Sequence, residues 1–321
     1  MYPIANLQEL LQPAYQKHFA VLACNIRHPL IMRACLEAAF QLRSPIILEI
    51  AESEQAYCQW SPEQVAEEVL MAIEICAHYF GYRIPVGLHL DHVQQDEGLI
   101  DRAIKAGFRS SLLDLSRLSD QENYVRSAAM ASRLHSQGAS LEMEQGAIGF
   151  AKDLPSDVES LYTTVEQAVT AVEQVHPDAL AIAVGNGHGF YKETPHIGFQ
   201  RIRDISRALE PTKTPLVLHG GSGLTLETFK QAVAVGINKV NYATALSELM
   251  FAHLPAGLLV QIKQAADDQK VEQRKVLGQF KEAIRNIPKE NKQRLHQAIV
   301  EDVSRLILAS LGSANTAALY E

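Results

Sequence analysis

The chain has 321 residues, 47% hydrophobic and 21% charged, a balance that builds a globular core without help from disulfides or a structural metal. Its net charge of −8 excludes a broad basic surface, so neither nucleic acid nor an anionic membrane is expected as a partner. No basic segment followed by an apolar run opens the chain, and no stretch approaches the ~18 apolar residues of a membrane helix, so a cytoplasmic protein is expected.

Eight short apolar runs alternate with longer segments of helical period. The first strand is expected at Ala20–Asn25 with a helix at Leu30–Leu42 after it. The second lies at Pro45–Ile50, followed by Ser61–Tyr79, and the third at Val86–Leu90, followed by Asp96–Ala106. Next come Ser110–Leu115 with Gln121–Gln137, Ala139–Glu144 with Val158–Val175, and Leu180–Val184 with Gly198–Leu209. Pro215–His219 with Thr225–Val235 and an eighth strand at Lys239–Tyr242 complete the series. Near-continuous apolar strands between amphipathic helices predict a parallel sheet buried on both faces. Eight such units predict a (β/α)8 TIM barrel with extra C-terminal helices. An open doubly wound sheet would need a glycine-rich turn after its first strand, and the chain has Cys24-Asn25-Ile26-Arg27-His28-Pro29 there. Beyond the barrel the chain is helical and polar, at Leu258–Phe280 and Lys289–Leu311. A single domain over 1–321 is expected, with 250–321 as a helical extension packed on the barrel or in a subunit contact. The four cysteines, Cys24, Cys35, Cys58 and Cys76, lack Cys-x-x-Cys spacing and suit reduced, buried thiols.

The active site of such a barrel lies at the C-terminal ends of its strands. Strand three ends in His89-Leu90-Asp91-His92 and strand five in Glu142-Met143-Glu144. Strand six runs into Gly187-His188-Gly189, strand seven ends in His219-Gly220-Gly221-Ser222-Gly223, and strand eight in Asn241-Tyr242-Ala243-Thr244. A lone histidine at a strand end is usually a satisfied polar residue. Three at equivalent ends describe a metal site with an open position, able to act as a Lewis acid on a carbonyl. The remaining histidines other than His89 are read as surface or capping residues, and His89 as packing beside Asp91. Asp91 itself either moves a proton at a substrate hydroxyl or holds a neighbouring histidine; spacing leaves both open. The glycine turns after strands six and seven, with Ser222, suit an anion such as phosphate.

Leu88–His92, Leu141–Gly146, Gly187–Gly189, Leu216–Gly223 and Asn238–Thr244 together resemble the class II, zinc-dependent ketose-bisphosphate aldolases, in order and spacing over roughly residues 5–250. The resemblance implies a homo-oligomer, dimer or tetramer, that cleaves a phosphorylated sugar reversibly to dihydroxyacetone phosphate and an aldehyde, a reaction of carbohydrate metabolism and glycolysis. It implies Zn2+ on His92, His188 and His219, with Glu144 as a ligand in an alternative position. Asp91 becomes the acid/base, and Asn25, Gly189, Gly221, Ser222, Asn241 and Thr244 hold the substrate and its phosphate. A monovalent cation, Na+ or K+, near backbone oxygens around Gly189 is also implied.

Three stretches depart from the family. Ala51 stands where a serine or glycine is usual, Val93 where a glycine follows Asp-His, and Gly149-Phe150-Ala151-Lys152-Asp153 where acidic residues handle a second proton. Asp153 or a water would take that role, and Arg285 and Arg294 are candidates for a distal phosphate. The departures motivate one alternative, a non-catalytic or assisting subunit; a metal hydrolase or isomerase on the same three histidines is another. The intact Asp91/His92/His188/His219 set favours the aldolase.

Overall fold

The computed structural model describes residues 4–153, 158–191 and 195–320. Eight parallel strands close into a barrel in sequence order: β1 (Val21–Asn25), β2 (Ile46–Ala51), β3 (Val86–Val93), β4 (Ser110–Leu113), β5 (Ser140–Gln145), β6 (Ala179–Ile182), β7 (Leu216–Leu218) and β8 (Ile237–Tyr242). Closure is made by β8 against β1, with Val21 opposite Lys239 and Ala23 opposite Asn241. The helices are α1 (Leu7–Lys17), α2 (Pro29–Gln41), α3 (Glu52–Cys58), α4 (Pro62–Phe80), α5 (Glu97–Ala106), α6 (Asp120–Ser136) and α7 (Val165–Val175). They continue with α8 (Phe199–Ala208), α9 (Leu226–Ala234), α10 (Thr244–His253), α11 (Ala256–Gln269), α12 (Lys281–Arg285) and α13 (Lys289–Leu306). The expected TIM barrel with C-terminal helices is the fold found.

Apolar side chains fill the layer between strands and outer helices, while a separate cluster plugs the N-terminal end of the barrel. That plug is built by α1, whose Leu7, Leu10 and Leu11 pack on Val21, Ala23, Ile47 and Val217. Burying each leucine contributes about 2 kcal/mol. The strand–helix alternation does not announce α1, and Pro13 in its interior argues against a helix; the capping box of Asn6 and Glu9 starts it nonetheless.

Other boundaries follow local chemistry. The expected helix over Val158–Val175 is two elements, a 3-10 turn at Val158–Leu161 and then α7. The break falls at Thr164, which caps α7 reciprocally with Gln167. Thr163 just before it is buried and bridges two strands, donating to Gln145 O and accepting from Ala183 N. The expected helix over Leu258–Phe280 also divides. Asp267 and Asp268 sit in the last turn of α11, where the helix dipole disfavours negative charge, and Lys270 turns left-handed before a 3-10 stretch at Gln273–Phe280.

The C-terminal region wraps the barrel. α13 packs on α2, Tyr242 Oη donates to Asp302 at 2.8 Å, and Leu311 O accepts from Ala20 N at 2.9 Å. Tyr320 Oη then reaches Leu10 O on α1 at 2.8 Å. All four cysteines are unpaired; Cys24, Cys35 and Cys58 are buried, and Cys76 is half-buried rather than buried. Among the described residues no helix is long and apolar enough to cross a membrane.

Candidate active site

A cavity of about 480 Å3 opens at the C-terminal ends of the strands, and Asn25, Asp91, His92, Glu144, His188, Gly189, Gly221, Ser222, Asn241 and Thr244 all line it. His219 lies behind it, fully buried. The acid/base, metal-ligand and ketose-phosphate residues expected from the sequence are therefore at or against one cavity.

Successive side chains of a strand face opposite ways, so Asp91 and His92 cannot both reach the cavity from a regular strand. The register of β3 against β4 slips between Leu90 and Val93, and His92 takes a left-handed φ of 41°. This strained conformation, costly for a non-glycine residue, brings both side chains to the site. His188 lies well beyond β6 and is held by a bridge to the loop after β5, with Ala151 N donating to His188 O and His188 N to Gly149 O, both at 2.9 Å. The loop also needs Gly220, at φ 68°, where a Cβ would sit 2.2 Å from Gly187 O.

The three rings converge, with centroids 4.7 Å apart for His92–His219, 4.9 Å for His92–His188 and 6.1 Å for His188–His219. One nitrogen from each lies within 4.8 Å of the others. His92 Nδ1 bonds Asp114 Oδ2 at 2.9 Å, leaving Nε2 buried with no hydrogen-bond partner among the described residues. His219 Nε2 bonds Glu142 Oε1 at 2.7 Å, leaving Nδ1 in the same condition. Nδ1 lies 3.2 Å from Glu144 Oε2, and the two are not aligned as a hydrogen bond. Oδ1 of Asp91 and Oε2 of Glu144 are likewise buried and unbonded. Unpaired buried polar atoms cost about 1–3 kcal/mol each. An imidazole whose far nitrogen is bonded to a carboxylate is the arrangement of a metal ligand. The donor set fits Zn2+, and Asp114 and Glu142 are the supporting carboxylates.

Electrostatics agree. Burial alone would lower His219, but its contacts with Glu142 and Glu144 raise it to about 9. His92 is raised by Asp91 and Asp114 in spite of its burial. His188 falls to about 3, through burial and the two neighbouring imidazoles. Burial would raise Asp91, yet His92, His219 and Lys239 hold it below the usual carboxylate range. Negative groups thus surround the His92 and His219 rings, while His188 is held neutral.

Asn25 Nδ2 reaches Asp91 Oδ2 at 3.5 Å and Glu54 Oε2 at 2.9 Å. Glu54 also accepts from Arg27 Nε at 2.6 Å and from Ala51 N at 3.0 Å, and Arg27 donates to Ser247 on α10 at 2.7 Å. Ser222 Oγ accepts from Ala243 N and Ala245 N at the start of α10, at 3.2 and 3.1 Å. Among the described residues Ser222 Oγ donates to no protein group, so its hydroxyl proton can go to an anion there.

Beneath these groups Lys239, fully buried, lies 2.9 Å from Glu142 Oε2 and 3.2 Å from Glu49 Oε2. It donates to Asn241 Oδ1 at 2.7 Å. Burial lifts Glu49 to about 8 despite Lys239, and drops the adjacent His89 to about 3. Sequence reasoning assigned no role to Glu49, Glu54, Asp114 or Lys239. Their partners are distant in the chain, and only the inward alternation of Lys239 with Asn241 hinted at one.

Two expectations are corrected. Arg285 is engaged by Glu68 at 3.1 Å and Glu282 at 3.3 Å, and neither it nor Arg294 lines the cavity; Arg274 and Lys275 do. Asp153 lines neither this cavity nor the adjoining one of about 350 Å3, where Lys152 and Phe150 are found. Of the histidines read as surface or capping, His18 and His176 end α1 and α7 and His28 caps α2, though His28 is buried rather than on the surface.

Fold and site together define a (β/α)8 barrel with a three-imidazole, carboxylate-flanked centre at its C-terminal mouth. The chain belongs to the class-II fructose-bisphosphate aldolase family, whose model matches residues 5–298. Solved structures share the fold. The YdjI aldolase from Escherichia coli K12 is 24% identical with a TM-score of 0.74, over 98% of this chain and 99% of that one. The fructose-bisphosphate aldolase from Campylobacter jejuni is 21% identical with a TM-score of 0.72, over 97% and 96%.

Proposed function

We propose that the protein is a zinc-dependent aldolase that cleaves a phosphorylated ketose reversibly to dihydroxyacetone phosphate and an aldehyde. The observation that carries this reading is the meeting of His92, His188 and His219, each offering a ligand atom within 4.8 Å of the others, beside the buried carboxylate of Asp91. Zinc, when bound by these imidazoles, supplies Lewis-acid polarisation of the ketose carbonyl. Glu144 would serve as a ligand in a second position.

In cleavage, Asp91 accepts the proton of the hydroxyl on the carbon that becomes the aldehyde, and returns it in condensation. Asn25 holds that carboxylate through Nδ2. The phosphate of the three-carbon half sits at the start of α10 against Gly189, Gly221, Ser222 and Thr244, where backbone N–H groups and the helix dipole favour an anion. Its binding energy fixes the distance between the carbonyl and Asp91. Asn241 faces the oxyanion that develops as the bond breaks. Arg274 and Lys275 at the rim favour a negatively charged group on the aldehyde half. A homo-oligomer, dimer or tetramer, belongs to the same reading. It is supported by Met71, Ile75 and Tyr79, each more than half exposed at four-residue spacing on α4, and sedimentation would measure it.

A coupled assay for triose-phosphate release tests the proposal, run on zinc-loaded protein with a panel of ketose mono- and bisphosphates, with and without chelator. Release that the chelator abolishes is expected from at least one sugar. Release that survives metal removal, or silence across the panel with zinc bound stoichiometrically, would overturn it.

A further inference from the structure

The carboxamide of Asn241 has two ends of similar shape and opposite character, and a half-turn exchanges them. One donates two hydrogen bonds and the other only accepts. Asn241 lines the cavity, so which end faces inward decides whether it stabilises or repels a developing oxyanion. Lys239, two residues earlier on β8, shares its face of the strand. An ammonium donates and never accepts, so only Oδ1 can meet it, and the 2.7 Å contact from Nζ to Oδ1 is of this kind. Among the described residues Nδ2 donates to no protein atom, which leaves that end for the cavity. Lys239 cannot turn away, because Glu142 at 2.9 Å and Glu49 at 3.2 Å hold its ammonium inside the barrel.

We propose that Lys239 is a positioning residue that locks the Asn241 carboxamide with Nδ2 toward the cavity, where the oxyanion of the three-carbon half develops. The assignment rests on the aldolase reading above. Lys239 touches no reacting atom and acts through Asn241. Its two carboxylate partners serve to hold the ammonium in place, and Glu142 connects the same cluster to the His219 ring.

The test is a double-mutant cycle between Lys239 and Asn241. Removing Lys239 alone would leave a buried carboxylate without its cation and threaten folding, so the cycle is run in a Glu49→Gln parent, in which that position carries no charge whether or not Lys239 is present. Glu49→Gln is compared with Glu49→Gln/Lys239→Met, Glu49→Gln/Asn241→Ala and the triple variant. The readout is the dissociation constant of zinc-loaded protein for a phosphorylated hydroxamate, whose paired oxygens imitate an enediolate, beside that for inorganic phosphate. Bound zinc per chain is measured on each variant. Lys239→Met is expected to weaken hydroxamate binding on the order of 10²-fold, the scale of one lost oxyanion donor, with phosphate affinity within about threefold on the same scale. In the Asn241→Ala background the same change is expected to cost almost nothing, because there is no carboxamide left to orient. Equal penalties in both backgrounds, or no penalty, would overturn the proposal. Asn241→Asp adds a variant that keeps Lys239 paired; it offers the cavity no donor and is expected to lose as much as Asn241→Ala. Retained affinity there would refute the assigned orientation. A Glu49→Gln parent that binds zinc but no hydroxamate would overturn the aldolase reading and this proposal together, whereas additive losses in a binding parent overturn this one alone.

Discussion

Asp91 and His92 reach one cavity only because β3 breaks its alternation between them. Asp91 is buried and held as a carboxylate by His92, His219 and Lys239 against the effect of burial. Asp91→Asn keeps its shape and removes the proton acceptor, so kcat is expected to fall about 10²–10⁴-fold with zinc content unchanged; steady-state kinetics and metal analysis on one sample check it. His28 governs a pH effect elsewhere. It accepts from Leu30 N at the start of α2, faces Lys281 O at 3.2 Å, and burial lowers its pKa from 6.5 to about 4, with Arg285, Lys281 and Arg33 adding to the shift. The unfolded chain then binds more protons than the folded one between those values, so stability is lost as pH falls from 6.5 toward 4. The full shift corresponds to about 3 kcal/mol. His28→Asn, which can still cap, is expected to flatten that decline by about one proton, read from urea unfolding across the same window. Chemistry at strand ends was readable in sequence at His92, His188 and His219 because the residue types are unusual there. Glu54 and Lys239 were not, since a buried charge looks like a surface one until its partner, up to 190 positions away for Glu49 and Lys239, is known.

Elements were readable in proportion to their length. α4, with 19 residues, shows its period plainly, whereas α3, with seven, cannot, and α3 is the element that carries Glu54 to Asn25 and Arg27. Thr164 and Gln167 formed a start signal inside what looked like one long helix, and that signal outweighs the apolar spacing before it. Loops between elements were hardest, because the position of His188 depends on a bridge to Gly149 and Ala151 and on a glycine contact. Gly220→Ala would place a Cβ 2.2 Å from Gly187 O and force a left-handed φ on alanine. The loop must move, and His188 with it. Zinc affinity is expected to drop at least tenfold, on the scale of disturbed ligand support, with the melting temperature falling little; competition with a chromophoric chelator measures the first and calorimetry the second.

For the whole molecule, the barrel followed from the number and order of the apolar runs, and the C-terminal helices from their polar period. What could not be read was where those helices go. The 3-10 stretch after α11 lands on α3 and carries Arg274 and Lys275 to the mouth of the cavity, a placement decided by tertiary packing. Zinc should act on the whole fold as well as on the site. A ligand that binds only the folded chain stabilises it by about 4 kcal/mol at a thousand times its dissociation constant. The melting temperature is therefore expected to rise by several degrees with zinc and fall with chelator, and Asp91→Asn is expected to keep that response. Loss of the response in the wild-type chain would count against a metal at the three imidazoles.

The pairing of Val21 with Lys239 has a consequence for how the chain comes to be folded. A ribosome makes β8 last of the strands, so Glu49 and Glu142 emerge long before the ammonium that lies between them. Until β8 docks, these two inward acids share an open sheet without the lysine that lies between them. Zipping the last seam is thus also the step that seats Lys239 between them, and that loop closure spans more than two hundred residues, the kind of long-range contact that slows folding. A nascent chain stopped before residue 237 would hold its acids protonated or wet, and the seam it lacks is the one that seats Asn241.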